Sequence, residues 1–215
     1  LPVDLHSIPT ESVRGDGGDP VGDENDSALV SRCCRGDHSA WRALYDRHFR
    51  SVYRFVSSLG VPISEREDAT QDVFIAIYRS LPRFRGDSRF STWVYRITAR
   101  HVSRLARRRR AREMLGVLLL REPTRNSPQD LAEQHSDADF VDRLLSRLNP
   151  KKRTALVLFE VEGLSVEEIA QVVDCPVNTV WSRIHHARSE LAKLARLAVR
   201  DDLRPAASVR AEGEP

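Results

Sequence analysis

The stretch from Gly163 to Leu191 limits the fold more than any other part of the chain. Ser165 and Glu168 have the spacing of a capping box, in which the hydroxyl accepts from one orphan N–H of a helix start and the carboxylate returns to another. Ile169, Ala170 and Val173 then share one side before Asp174-Cys175 interrupts the pattern. Pro176 suits the first turn of a second helix, where its missing N–H costs nothing. In that helix Val180, Ile184, Ala187 and Leu191 recur at helical spacing and form a single inward stripe. The opposite side carries Asn178, Thr179, Ser182, Arg183, His186 and Arg188, donors and positive charges with no carboxylate before Glu190. A short helix, a tight break and a helix with a polar-basic face make a helix-turn-helix, whose second helix fits a DNA major groove. An ordinary helical hairpin with a solvated outer face would look similar, so the rest of the chain decides.

A second basic element stands upstream. A helix is expected from about Ser91 to Ala111, with Phe90, Val94, Ile97 and Leu105 on its inner side. Arg96, Arg100, Arg104 and Arg107 step along the other side, and residues 96–112 hold eight arginines in seventeen positions with no acid. Like charges at such spacing destabilise a free helix. A phosphate backbone removes that penalty, so a nucleic acid is the expected partner of this row. The preceding loop, Pro82 to Phe90, mixes bases and aromatics around a Gly86-Asp87 turn. Its Phe84 and Phe90 could stack on exposed bases, whereas Trp93 is expected in the core.

Between the amino end and this loop lie three helical segments. Gly36-Asp37 separates a short helix starting at Ser27 from a longer one with Trp41, Leu44, His48, Val52, Phe55 and Leu59 on one stripe, closed by Gly60 and Pro62. Ser64 and Glu67 suggest a capping box for the next helix, which turns Ala69, Val73, Ile77 and Leu81 inward. On its outer side Asp68, Gln71 and Asp72 fall within little more than one turn, close enough to touch one partner surface together. The segment 113–136 is broken by Pro123 and Pro128, although Met114–Leu120 could prolong the arginine helix. Its 24 residues could span roughly 80 Å when extended. Helices are expected from Asp137 to about Leu148 and from Pro150 to Glu162, with Leu156, Phe159 and Val161 packing under the helix-turn-helix.

Composition excludes several classes. Residues 1–26 hold seven acids and one base, a local net of −6, so the remaining 189 residues carry +9 against a whole-chain formal charge of +3. That acidic stretch has few large apolar groups and is expected to be disordered. It lacks the apolar run of a secretory signal. The longest aliphatic run, Val117–Leu120, is far too short for membrane insertion. Cys33, Cys34 and Cys175 form neither a disulfide framework nor a zinc spacing, and suit a reducing cytoplasm. No phosphate loop, nucleophile elbow or acid pair points to an enzyme, a metal or another cofactor.

Several strings together resemble the extracytoplasmic-function branch of bacterial RNA polymerase sigma factors. They are Gly36-Asp37 with Ala40-Trp41 and Leu44-Tyr45; Glu67 through Phe74; Phe84-Arg-Gly-Asp87 leading to Thr92 through Ile97; and Thr179 through Arg183. The resemblance implies an all-α chain of two small helical domains joined by a flexible linker. An acidic tail (1–26) precedes region 2 (27–112), the linker (113–136), region 4 (137–199) and a loose tail (200–215). It implies that Asp68, Gln71 and Asp72 dock on the β′ clamp helices of core RNA polymerase. Phe84, Arg85, Phe90, Arg96, Arg100 and Arg104 would engage the −10 element, the loop capturing a flipped base. Asn178, Thr179, Ser182, Arg183 and His186 would read the −35 element. Core polymerase (β′ clamp helices and β flap) and promoter DNA are the implied partners, and such factors are commonly held by an anti-sigma factor. His101 stands where the family usually has Asn, and Trp181 where a basic residue is common. A stand-alone helix-turn-helix regulator of the response-regulator type is the rival reading; it would need neither the Asp68–Asp72 surface nor a second DNA module.

Overall fold

The Asn25 side chain accepts from the Ser27 amide at 3.3 Å and caps helix α1 (Asp26–Cys34). The computed structural model describes residues 25–120 and 137–202, and among these it contains eight α-helices, two short 3-10 turns and no strand. The acidic tail lies outside them except for its last two residues. Asp26 belongs to α1 rather than to the tail and accepts from Arg47 at 2.7 Å and His48 at 3.0 Å. Gly36, at φ +90°, turns the chain, and Asp37 caps α2 (His38–Ser58) by accepting from the Ser39 and Ala40 amides. The same carboxylate takes the Arg32 guanidinium at 2.9 Å. The Ser39 hydroxyl and Arg32 together hold its pKa far below the usual carboxylate range.

The capping box expected at Ser64 does not form. Pro62 instead leads a 3-10 turn (Ile63–Glu65), in which the Glu65 amide donates to the Pro62 carbonyl at 2.9 Å. Helix α3 (Arg66–Ser80) follows with no side-chain cap. Ala69, Val73, Ile77 and then Leu81 are buried as expected, with Phe74 and Thr70. After a second 3-10 turn (Leu81–Arg83), α4 runs from Phe90 to Leu120, longer than expected. Met114–Leu120 thus prolong the arginine helix, the continuation the sequence allowed, because no proline stops it there.

The second half comprises α5 (Asp137–Arg147), α6 (Pro150–Glu160), α7 (Val166–Val173) and α8 (Val177–Asp202). Helix α6 ends two residues early, and Val161 is 47% exposed rather than packed beneath α7 and α8. The two halves are not merely tethered. One apolar cluster fills the first half, but the other joins Phe55, Tyr95 and Ala99 of the first half to Leu158, Ile169 and Val172 of the second. Around this seam Arg54 donates to Glu162 at 3.0 and 2.8 Å, and Arg66 pairs with Asp142 at 3.1 Å. The buried Arg153 donates to the Leu59 carbonyl at 2.8 Å and to that of Ser146 at 2.8 Å, so it closes the ends of α2 and α5 together. Burial pulls its pKa down from the usual arginine value.

Candidate nucleic-acid interface

Helix α7 begins with the expected capping box: the Glu168 amide donates to Ser165 Oγ at 3.2 Å, and the Ser165 amide to Glu168 Oε2 at 2.9 Å. It ends at Asp174 in the left-handed region (φ 52°), a conformation a short polar side chain tolerates better than a branched one. Helix α8 starts at Val177, so Pro176 stands just ahead of the first turn; its carbonyl accepts from Thr179 and Val180. Val180, Ile184 and Ala187 are buried to 1% exposure or less.

This inward stripe fixes which residues of α8 face out. Asn178, Ser182 and His186 are exposed, while Thr179 and Arg183 are half-buried on one flank. His185 was missed by sequence reasoning although it lies seven residues after Asn178 and three after Ser182, on the same outward line. Trp181 is also exposed, at 49%, on the other flank beside Phe159. Arg188 is not part of the outward face. Its Nε donates to Glu160 at 2.6 Å, and its guanidinium sits 5.3 Å from the Phe159 ring centre.

The arginine row of α4 divides in two. Arg100, Arg104, Arg107, Arg108, Arg110 and Arg112 are exposed. Arg96 is half-buried against α7 with its Nε sealed from solvent and without an acceptor, and Arg100 lies 3.9 Å from Asp174. In the loop ahead of α4, Arg85 is exposed and Phe84 half-buried. Phe90 is 5% exposed, as its place on the inner side of α4 requires. Enclosed by His48, Phe84 and Trp93, it cannot stack on a base in this conformation, contrary to the second role expected for it. Its ring instead supports Phe84, whose ring centre is 5.4 Å away, and the half-buried Trp93 completes the cluster.

Asp68, Gln71 and Asp72 are all exposed on α3, opposite its buried stripe. Asp72 approaches His101 of α4 at 3.7 Å. Burial lowers the His101 pKa, Asp72 opposes that shift, and Arg104 and Arg108 reinforce it. Beyond Gln71 the surface turns aromatic, with Phe49 (37% exposed) and Tyr78 (38%) packed around Trp41, Tyr45 and Phe74.

The sequence matches the family description "Sigma-70 region 2" over residues 44–112 and "Sigma-70, region 4" over residues 141–191. The ECF RNA polymerase sigma-E factor of Escherichia coli (strain K12) is 36% identical over 178 residues, covering 77% of this chain and 92% of its own. The RNA polymerase sigma-H factor of Pseudomonas aeruginosa is 35% identical over 190 residues, covering 83% of this chain and 97% of its own. Among solved structures, CnrH in complex with the cytosolic domain of CnrY superposes with a TM-score of 0.62 at 27% identity, covering 80% of this chain and 97% of CnrH. The fold is shared too with the sigma factor RpoE of Bartonella quintana, at a TM-score of 0.61 and 21% identity over 72% of this chain and 96% of that one.

Proposed function

The chain belongs to the extracytoplasmic-function branch of sigma factors, and we propose that its helices divide the work of promoter recognition among three surfaces. As a sigma factor it binds core RNA polymerase and directs promoter-specific transcription initiation. It contributes recognition, and the chemistry of nucleotide addition belongs to the polymerase.

In this reading Asp68, Gln71 and Asp72 on α3 dock on the β′ clamp helices. The opposite stripe of α3 is core, so these side chains are available to a partner. The loop residues Phe84 and Arg85 and the α4 row of Arg96, Arg100 and Arg104 engage the −10 element, with Phe90 holding Phe84 in place. The outward line of α8, Asn178, Ser182, His185 and His186, reads the −35 element, while Thr179 and Arg183 face its phosphates. Region 4 also meets the β flap. The observation that carries the reading is the arginine row itself: same-sign charges along one side of a helix repel one another, and a polyanion laid along them relieves that cost. A protein that holds the factor inactive completes the reading, by analogy with CnrH, which was solved bound to part of CnrY.

The test uses holoenzyme assembled from the full chain. Replacing Arg96, Arg100 and Arg104 with Gln keeps helix propensity while removing charge. The variant is expected to bind core polymerase normally but to lose promoter melting, read by permanganate reactivity, and to do so more steeply as salt rises. Unaltered melting would overturn the −10 assignment.

A further inference from the structure

Helix α8 keeps a large apolar ring beside its outward polar line. Trp181 lies in the second turn, three residues after Asn178 and four before His185, so it neighbours both on the helix surface. Val180, Ile184 and Ala187 already fill the core beneath, and the indole is 49% exposed. It is also braced. Its ring centre is 6.0 Å from that of Phe159 on α6, with the planes tilted by 57°. The Arg188 guanidinium lies 5.3 Å from the Phe159 ring centre and is itself tied to Glu160, with nitrogen–oxygen distances of 2.6 and 2.5 Å. Glu160, Arg188 and Phe159 thus form an ordered stack that supports one side of the indole and leaves about half of the residue open.

We propose that Trp181 is a specificity-determining residue that packs on the methyl group of a thymine in the −35 element, a role that rests on the −35 reading assigned to α8. In the major groove guanine, cytosine and adenine are read by their hydrogen-bond donors and acceptors, whereas thymine adds an apolar group, its C5 methyl. An indole has one donor and no acceptor, and its faces return no hydrogen bond. Laid on a polar base edge, those faces would strip water without replacing it, at a cost. Laid on the methyl group, they remove apolar surface from water on both partners. The brace adds to this: a ring already held by Phe159 gives up little freedom on binding. Asn178 and His185, on either side along the helix, supply the hydrogen bonds that the ring cannot.

Removing the methyl group from the DNA tests the contact without touching the protein. Holoenzyme assembled from the full chain is titrated against a footprinted promoter in which each thymine of the −35 element, on either strand, is replaced in turn by uracil. The expected result is one position at which uracil weakens binding by about fourfold, the worth of one buried methyl group. With Trp181→Ala that ratio should fall to about one at the same position, whereas Trp181→Phe should keep most of it. Alanine is the best helix former and the core beneath is untouched, so Trp181→Ala keeps the fold, which circular dichroism checks. A uracil penalty equal in Trp181→Ala and the original chain, or absent from both, overturns the thymine contact. Weaker binding of Trp181→Ala to core polymerase without DNA, at an unaltered uracil ratio, puts the ring against a protein and overturns it too. Failure of the −35 reading itself looks different, because Asn178→Ala and Arg183→Ala would then leave affinity for the −35 element untouched as well.

Discussion

Asn178, Ser182 and His185 share the outward line of α8, and each offers a different readout chemistry. The Asn178 amide can pair with both edge atoms of an adenine, so Asn178→Ala should change preference at one base pair by about 1–3 kcal/mol. Selection of binding sites from a random −35 library would report it, and an unaltered selected sequence would remove Asn178 from base readout. Arg183, half-buried on the flank, suits a phosphate. Arg183→Ala should weaken all sequences alike and lower the salt slope by about one. His101 makes a pH prediction. Burial depresses its folded pKa below the ordinary 6.5, so below that pH the unfolded chain takes up the proton first and stability falls with acidification. Denaturant unfolding at about pH 7 and about pH 5 should show less acid destabilisation in His101→Asn than in the original chain. An equal or larger loss would contradict this. Much of this surface was legible, because the spacing of Val180, Ile184 and Ala187 leaves only one outward side. His185 escaped because four-residue steps from Asn178 lead through Ser182 to His186, whereas His185 lies three residues after Ser182. For Phe90 the helical period pointed inward and the neighbouring arginines pointed to a base, and the period decides: the helix start folds the ring against His48 and Trp93.

At the scale of elements, sequence signals succeeded where the physics is local. The Ser165–Glu168 box forms both of its bonds, and Ser165→Ala should cost about 1 kcal/mol of thermal stability while leaving −35 preference intact. Lost preference without lost stability would mean that Ser165 itself touches DNA. The similar Ser64–Glu67 spacing failed because Pro62 pre-sets a 3-10 turn whose backbone bond already satisfies the Glu65 amide. Gly60 carries a message that composition hides. Its φ of +83° disfavours any side chain, and an added Cβ would lie 2.0 Å from Arg153 Nη1. Gly60→Ala should therefore destabilise the chain by about 1–3 kcal/mol and loosen the seam. The checks are thermal unfolding and the radius of gyration. Unchanged values for both would mean that Arg153 moves aside without loss.

For the whole molecule, the two helical halves were legible as two periodic stretches around a proline-rich join, but their contact was not. Arg54 and Glu162 are 108 residues apart, and a pairing at that distance leaves no periodic trace in a single sequence. The exposed face of α3 was legible for the opposite reason: its side chains are polar where the helix has no core to fill. Whether that face binds a partner separates the docking role proposed for it from an ordinary solvated helix. Asp68 lies in the first turn, where its charge favours the helix dipole by a few tenths of a kcal/mol, and Asp72, further in, is close to neutral for stability. Charge-assisted contacts to a partner, in contrast, often cost about 2–5 kcal/mol when one side is truncated. The most direct measurement is the affinity of Asp68→Ala/Gln71→Ala/Asp72→Ala for core RNA polymerase, taken with run-off transcription from a cognate promoter. The expected result is a melting temperature within a few degrees of the original, affinity at least tenfold weaker by that energy scale, and transcript lost in step. A triple variant that binds core polymerase as tightly as the original chain would contradict the assignment of α3 as the docking surface.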